Sequence, residues 1–318
     1  MIKEIRFTPW ELVMAVAWSP DGQLLAVTAG ERLHLYTVRD WQVQAVIHVG
    51  ALTHSLRFSP QGSWLAAGSR DGRVRVWDVQ GLMAQTQLDN EPQPALVLDA
   101  HRKGVNNLAF SPGGELLASG GNDAVARFWD LETGKVVGVM IGGTFAVPSI
   151  AFVPDGSSLA VVNGKMVRLR QVGSERILGS FQAKDPLYSV AISPEGRLVA
   201  AGDQNNQVLL WEIDKAYRSG QEKYPEPTRF SGHNGKSGTY QALIWAVVFS
   251  PDGQLLASAG GDRTLRLWDA QAASSEDALL TTLAAHTRAV TCVAFRPDGR
   301  GLASGGLDGV LNVWGVMK

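Results

Sequence analysis

The stretch His101-Arg-Lys-Gly-Val-Asn-Asn-Leu-Ala-Phe110, Ser111-Pro-Gly-Gly-Glu-Leu-Leu-Ala-Ser119-Gly-Gly-Asn-Asp123, Ala124-Val-Ala-Arg-Phe-Trp129-Asp130 contains the pattern on which the whole chain is built. Its apolar residues recur with the short period of β-strands, before the Ser-Pro-Gly-Gly motif, after it, and again up to Trp-Asp. Proline pre-sets the first central residue of a turn and glycine suits the closing position, so residues 111–114 should reverse the chain. The stretch therefore predicts three antiparallel strands joined by two tight turns.

This pattern occurs seven times along the 318 residues. The Ser-Pro-x-Gly motif and its variants end at Gly22, Gly62, Gly114, Gly156, Gly196, Gly253 and Gly299. An aromatic residue or isoleucine precedes each turn, and a strand rich in Leu, Ala and Val follows it. A repeat of about 40 residues with four strands is typical of a propeller blade. We therefore expect an all-β fold, a single seven-bladed β-propeller of four-stranded antiparallel blades over residues 1–318.

Several dipeptides identify a family resemblance. They are Trp77-Asp78, Trp129-Asp130, Trp268-Asp269, Ala100-His101 and Ala285-His286. In this respect the chain resembles the WD-repeat β-propeller family over nearly its whole length. The other copies have diverged at the Trp-Asp position, to Tyr36-Thr37, Arg170-Gln171, Trp211-Glu212 and Trp314-Gly315.

The two ends of the chain predict how the ring closes. After Trp314 only four residues remain, so the last repeat lacks a fourth strand, whereas residues 2–7 form a strand that precedes the first repeat. We expect residues 2–7 to become the outer strand of the last blade, which removes unpaired sheet edges. Insertions at 80–93, 214–226 and 270–277 should emerge on the face of the Ser-Pro-x-Gly turns, here called the wide face. The insertion 234–243 belongs to the opposite face, here called the narrow face.

Composition limits the classes of function. The net charge of −1 and the lack of a basic run argue against binding to nucleic acid or to an anionic membrane. No apolar run approaches the roughly 20 residues that span a bilayer, and the charged N-terminus is unlike a signal peptide. The single cysteine, Cys292, allows no intrachain disulfide, and it is expected to be a buried, inert thiol. These features predict a cytoplasmic protein.

A set of His, Ser, Asp and Trp residues could be taken for a catalytic triad. It comprises His101, Ser119, Asp123 and Trp129, then Ser258, Asp262 and Trp268, then His286, Ser304, Asp308 and Trp314. An enzyme needs one nucleophile in one pocket, so the repetition argues against catalysis. The resemblance to WD-repeat proteins implies instead a structural hydrogen-bond network. The sequence does not assign His233 to the second set, because seven extra residues separate it from Phe249 compared with the span from His101 to Phe110.

Phosphate, metal and cofactor motifs are absent from the sequence or match by chance. Gly232-His-Asn-Gly235-Lys236-Ser237 resembles the end of a P-loop, but Phe230 occupies the position of the leading glycine, and a propeller strand follows instead of a helix. The six histidines are scattered, and no Cys/His cluster has the spacing of metal ligands. We expect no catalytic residues, no metal and no cofactor.

In the WD-repeat family, ligands often bind around the central channel on the narrow face, through two kinds of position. The first is the residue after the first apolar residue of each inner strand: Met14, His54, Asn106, Pro148, Tyr188, Trp245 and Thr291. The second is the residue before the aspartate of the second turn, or before its equivalent: Arg70, Asn122, Gln204, Gly261 and Leu307. A set rich in aromatic residues, Met and Arg is typical of protein recognition. The alternative interpretation is that these side chains only fill the channel mouth.

The resemblance therefore implies a non-catalytic scaffold that binds a protein or peptide partner, as a subunit of a larger complex, without a small-molecule substrate. Two alternatives remain open. One is a hydrolase-like propeller enzyme with its site at the central channel, and the other is a nucleic-acid-associated adaptor. The wide-face insertions are a second candidate surface for binding.

Overall fold

The computed structural model describes residues 1–8, 10–84, 92–141, 143–174, 176–218, 221–272, 275–284 and 286–315. It contains seven four-stranded antiparallel sheets; in six of them consecutive strands pair in a meander, and in the seventh the first strand of the chain pairs with the last one. The predicted all-β, seven-bladed propeller is thereby confirmed.

The first strand, β1 (Lys3–Arg6), belongs to the last blade. Blade 1 contains β2 (Val13–Trp18), β3 (Leu24–Ala29), β4 (Arg32–Thr37) and β5 (Val43–His48). Blade 2 contains β6 (Thr53–Phe58), β7 (Trp64–Ser69), β8 (Arg73–Asp78) and β9 (Leu96–Asp99). Blade 3 contains β10 (Val105–Phe110), β11 (Leu116–Gly121), β12 (Val125–Asp130) and β13 (Val136–Ile141).

The remaining blades repeat this order, with the innermost strand first in each. Blade 4 contains β14 (Ile150–Phe152), β15 (Ser158–Asn163), β16 (Met166–Gln171) and β17 (Ile177–Gln182). Blade 5 contains β18 (Leu187–Ile192), β19 (Leu198–Asp203), β20 (Gln207–Glu212) and β21 (Thr228–Ser231). Blade 6 contains β22 (Ile244–Phe249), β23 (Leu255–Gly260), β24 (Leu265–Asp269) and β25 (Leu279–Leu283). Blade 7 contains β26 (Val290–Phe295), β27 (Gly301–Gly306), β28 (Val310–Gly315) and β1.

The Ser-Pro-x-Gly motifs form the turns between the first and second strands. In all seven turns the glycine N–H donates to the carbonyl of the first turn residue, at 2.8–2.9 Å between nitrogen and oxygen. Every one of these glycines has a positive φ, from 68° at Gly22 to 82° at Gly114. Residues with a Cβ rarely adopt that conformation, which explains why the motif ends in glycine.

The hydrophobic core lies between the blades. It divides into seven clusters, each of which joins one blade to the next. Trp77 and Trp268 are almost fully buried in two of them. Close approach requires glycine on the second strands: a Cβ at Gly202 would lie 2.4 Å from the Ile244 side chain of the next blade. The blades are therefore packed against one another rather than around a single centre.

The N-terminal strand closes the ring as predicted. Strand β1 pairs antiparallel with β28, with Lys3 opposite Val313 and Arg6 opposite Val310. The pairing continues at both ends, where Ile2 N–H donates to the Val313 carbonyl at 2.7 Å and Phe7 N–H donates to the Gly309 carbonyl at 2.8 Å. The outer edge of blade 7 is thus covered by the opposite end of the chain.

Three of the insertions follow the third strands of their blades. The insertion 80–93 begins in helix α1 (Val79–Ala84), the insertion 214–226 in a 3₁₀ helix (Ile213–Lys215), and 270–277 reaches helix α2 (Ser275–Ala278). Parts of them, 85–91, 219–220 and 273–274, lie outside the described residues. Ile213 N–H donates to the Arg197 carbonyl at 2.8 Å, and Gln271 donates to the Gly253 carbonyl at 3.4 Å. These contacts bring two of the insertions to the Ser-Pro-x-Gly turns of the wide face.

Candidate functional site

Blade 3 contains a chain of four hydrogen-bonded side chains. The Trp129 indole Nε1–H donates to Ser119 Oγ at 3.0 Å, and Ser119 Oγ lies 2.9 Å from His101 Nε2. His101 Nδ1 lies 2.7 Å from Asp123 Oδ1, and Arg127 donates to the other oxygen of Asp123 at 3.0 Å. The chain joins the third strand, the second strand, the loop before the blade and the second turn.

The same chain exists in blades 6 and 7. In blade 7, His286, Ser304, Asp308 and Trp314 repeat it with separations of 3.0–3.1 Å between consecutive members. In blade 6, Trp268 donates to Ser258 at 2.8 Å and Ser258 lies 2.7 Å from His233 Nε2. His233 Nδ1 then lies 2.9 Å from Asp262. His233 therefore completes the set that the sequence left without a histidine.

The insertion 234–243 explains how His233 reaches this position. The seven extra residues form a narrow-face loop that ends in a 3₁₀ helix, Tyr240–Ala242. The loop is held to blade 5, because Gly235 N–H and C=O bond the Asn206 side chain at 2.9 Å each, and Ser237 donates to Asn205 at 2.7 Å. The extra length therefore emerges beyond the histidine and leaves the network unchanged.

Electrostatics fix the direction of these hydrogen bonds. Burial lowers the pKa of both His101 and His233, which favours neutral imidazoles near pH 7. Burial alone would raise the pKa of Asp262, but the hydrogen bonds from His233 and Thr264 outweigh it and lower that pKa to about 2. A neutral imidazole donates Nδ1–H to the carboxylate and accepts the serine O–H at Nε2. In blades 3 and 6 the chain of hydrogen bonds therefore runs from Trp through Ser and His to Asp.

The buried serines cannot serve as accessible nucleophiles. Ser119, Ser258 and Ser304 have no exposed surface, and each hydroxyl already accepts a bond from a tryptophan. A buried polar group needs such partners, and a fully satisfied network fixes one strand against the next. The three copies are thus suited to fixing the strands of blades 3, 6 and 7 and the loop that leads into each.

The residues that resemble a P-loop do not form a phosphate site. Lys236 and Ser237 precede the three-residue 3₁₀ helix and then strand β22, rather than a helix N-terminus that could receive an anion. Among the described residues, no group of three or more His, Cys, Asp or Glu side chains could hold a metal ion. Burial raises the pKa of Cys292 to about 12, so that thiol is protonated. No helix in the described part of the chain is both long and apolar enough to cross a bilayer.

The narrow-face end of the channel contains a cavity of about 340 Å³. Its wall includes all seven of the inner-strand positions derived from the sequence: Met14, His54, Asn106, Pro148, Tyr188, Trp245 and Thr291. In six blades this position coincides with a β-bulge at the start of the inner strand. A bulge re-aims the side chain that it contains, and here the re-aimed side chains surround the channel mouth.

Polar groups around this cavity differ in how well they are satisfied. The Asn106 amide donates to Asn122 at 2.9 Å and to the Val147 carbonyl at 3.1 Å. The Trp245 indole Nε1 is buried and has no hydrogen-bond partner within the described residues. Burial and the nearby positive charge of Arg70 lower the pKa of His54, so its imidazole is neutral near pH 7. The cavity wall therefore includes a tryptophan whose buried N–H has no partner among the described residues, and a neutral imidazole.

The second class of predicted positions lies at the rim. In each case the backbone N–H bonds a carbonyl of the loop that leads into the blade, at 2.8–3.0 Å, for Arg70, Asn122, Gln204, Gly261 and Leu307. Of these residues, only Asn122 lines the cavity itself. Arg70 is exposed, Gln204 and Leu307 are partly buried, and Gly261 is buried.

Sequence reasoning missed three exposed aromatic residues on the same face. Trp10 is 87% exposed, Phe145 63% and Tyr240 56%. All three lie in connections that lead from the outer strand of one blade to the inner strand of the next. They occupy no position of the repeat, so counting from the turns did not find them. Sequence reasoning also missed Arg57, which lies inside the channel.

The family model described as WD domain, G-beta repeat matches residues 6–36, 46–78, 92–130, 175–212, 226–269 and 277–315. The chain belongs to the WD40 family. The widest gap between the matched segments, 131–174, contains the first three strands of blade 4, whose Trp-Asp position is occupied by Arg170-Gln171. Membership in this WD40 family is consistent with a role in protein interaction.

Several WD40 relatives are similar over most of this chain. Serine-threonine kinase receptor-associated protein of Gallus gallus is 26% identical over 73% of this chain and 61% of its own length. Protein FIZZY-RELATED 3 of Arabidopsis thaliana is 25% identical, over 80% of this chain and 58% of its own. WD repeat-containing protein slp1 of Schizosaccharomyces pombe is 27% identical, over 80% and 49%. The matched region therefore spans about half to three-fifths of these relatives.

Proposed function

We propose that this chain is a non-catalytic scaffold that binds a peptide segment or protein surface through its narrow face, as a subunit of a larger complex. One observation carries the proposal. Within the described residues, the exposed Phe, Tyr and Trp side chains are Trp10, Phe145, Tyr188 and Tyr240, and all four lie on the narrow face. Exposed aromatic residues grouped on one face are typical of binding surfaces.

The mechanism is complementarity between a rigid surface and its partner. Trp245, Tyr188 and Met14 act as apolar anchors around the cavity. Polar groups orient the partner, namely Arg70, His54, Asn106, Asn122 and Gln204, with Leu307 at the rim. Because packed interfaces join the blades and buried networks fix the strands of three of them, little conformational entropy is lost when this surface binds.

The name of one relative and the unpaired cysteine support this proposal. One relative is named as a receptor-associated protein, which describes a protein that acts through association. The single cysteine, Cys292, is buried and unpaired by any disulfide, which fits the reducing environment of the cytoplasm, and we propose a cytoplasmic location.

Neither alternative function has a comparable observation in its favour. A hydrolase needs acids or histidines that converge on the channel, whereas the described residues that line the narrow-face cavity include one imidazole, His54, and no carboxylate. A nucleic-acid adaptor would be expected to have a basic surface, and the net charge is −1.

The proposal is tested by affinity capture followed by quantitative mass spectrometry. The bait is wild type, the variant with Trp245→Ala and Arg70→Ala, or Ile177→Ala as a control for an exposed apolar residue on the outer strand of blade 4. We expect the amount of each captured partner to fall about tenfold or more with the double variant, since central anchors carry most of the binding energy. The amounts captured by the control should equal those of wild type. If the double variant captures the same partners in the same amounts as wild type, the narrow-face proposal is refuted and the wide-face insertions become the candidate binding surface.

A further inference from the structure

One residue breaks the sevenfold pattern inside the channel. The residue before the aromatic or isoleucine at the end of each inner strand is small in six blades: Ala17, Ala109, Ala151, Ala191, Val248 and Ala294. In blade 2 it is Arg57. All seven of these residues surround the channel, so the six small side chains leave room for one long cation.

Arg57 has no countercharge in the described part of the chain. Its Nη1 donates to the Leu56 carbonyl at 2.8 Å, and no described carboxylate forms an ion pair with it. The nearby Cys292 thiol is protonated and supplies no negative charge. Burial lowers the pKa of Arg57 from its ordinary value, although an arginine remains protonated near neutral pH. Arg57 is partly buried, and a cation held away from bulk water without a partner is costly, so an anion that reached it would recover part of that cost.

Arg57 borders two cavities, which differ in chemistry. The wide-face cavity, of about 540 Å³, is lined by the aromatic residues that end the inner strands and by the prolines of the turns. The narrow-face cavity is lined instead by polar side chains that include Asn106 and Asn122, and by Trp245, whose Nε1–H has no partner among the described residues. Polar side chains beside a cation suit an anion, whereas a ring of aromatic and proline side chains does not. The narrow face is therefore the entrance that an anion would use.

We propose that the narrow-face cavity receives an acidic side chain, Asp or Glu, of the partner segment, and that its carboxylate pairs with the Arg57 guanidinium. This inference rests on the proposed function and specifies the chemistry of the partner. Arg57 lies three residues beyond His54 on β6, about 10 Å deeper, so the side chain must project into the channel. A carboxylate matches one guanidinium through two parallel hydrogen bonds. A phosphate dianion would need further positive charge. Among the described residues that line the narrow-face cavity, Arg57 is the one charged side chain, since His54 is neutral.

The test uses a library of random 12-residue peptides displayed on phage and selected on the full chain. We expect the selected peptides to share one Asp or Glu beside an apolar residue. A synthetic copy of the best peptide, with that acid changed to its amide, should bind wild type about 10- to 100-fold more weakly. On Arg57→Gln the same change should alter affinity less than about twofold. Arg57→Lys keeps the charge without the bidentate geometry and should show an intermediate effect.

The controls separate this inference from the proposed function. Arg73→Gln removes an exposed arginine of the same blade, paired with Asp99, and should behave as wild type. Thermal melts test whether Arg57→Gln is folded. If it is not folded, Arg57→Lys is compared with wild type instead. Peptides that depend on Trp245 but lack an acid preference would overturn the inference and leave the proposed function standing. Failure to recover any peptide weakened by Trp245→Ala would refute both. Tighter binding of a phosphoserine at the acidic position, by tenfold or more, would refute the choice of a carboxylate.

Discussion

The buried network of blade 6 makes a measurable prediction about stability. Ser258→Ala removes the hydroxyl that accepts from Trp268 at 2.8 Å and lies 2.7 Å from His233. The substitution leaves Trp268 Nε1 and His233 Nε2 buried without a partner, since each bonds the Ser258 hydroxyl in the native protein. An unsatisfied buried group costs about 1–3 kcal/mol, so the free energy of unfolding should fall by about 2–6 kcal/mol.

This loss should be visible in a thermal melt. At about 2.1 cal/mol/K for each residue, a chain of 318 residues has an unfolding entropy of about 0.7 kcal/mol/K. The midpoint of Ser258→Ala should therefore fall by about 3–9 °C, as followed by circular dichroism, with a matching decrease in the urea midpoint. Ser157→Ala is the control, because Ser157 is exposed and its hydroxyl bonds only Asp155. A midpoint within 1 °C of this control would refute the claim that the network stabilises the fold.

Two further predictions concern ring closure and acid sensitivity. Deletion of residues 1–8 removes β1 and exposes the edge of β28, so the melting midpoint should fall by several degrees in one cooperative step. Lys3→Ala keeps the backbone pairing and should have little effect. An unchanged melting midpoint of the deletion variant would refute ring closure by β1. The folded-state pKa of His233 is lowered, so stability should decline as pH falls below about 6.5, where the unfolded chain gains that proton first. The pKa of Asp262 is also lowered, to about 2, so a further contribution of about 2 kcal/mol is present above about pH 4 and is lost between about pH 4 and pH 2. Urea titrations across this range should show both declines, and Asp262→Asn should make the lower one smaller without abolishing it, because the pKa values of Asp123 and Asp308 are lowered too.

The blade pattern was predictable because its signals are local. Each Ser-Pro-x-Gly turn needs only a proline at one position and a glycine with positive φ at another, and both are visible in the sequence. Counting residues from these turns also predicted which inner-strand side chains surround the channel on the narrow face. All seven inner-strand residues derived in this way line the narrow-face cavity, although their part in binding remains a proposal.

The exposed aromatic residues were not predictable by counting. Trp10, Phe145 and Tyr240 lie in connections of unequal length, which have no repeat register. Whether such a side chain is buried depends on the neighbouring blade. Exposure is therefore decided by packing, and it became known only from the tertiary structure.

By itself, the sequence determined the number of blades, their strand order and the closure of the ring, because period and turn chemistry are properties of short segments. Tertiary structure decided which side chains meet. His233 joins its network across an insertion because Asn205 and Asn206 of the neighbouring blade hold the extra loop. Arg57 is an unusual cation only because six other inner strands place small residues around it. Both facts depend on contacts between blades, which no single repeat encodes.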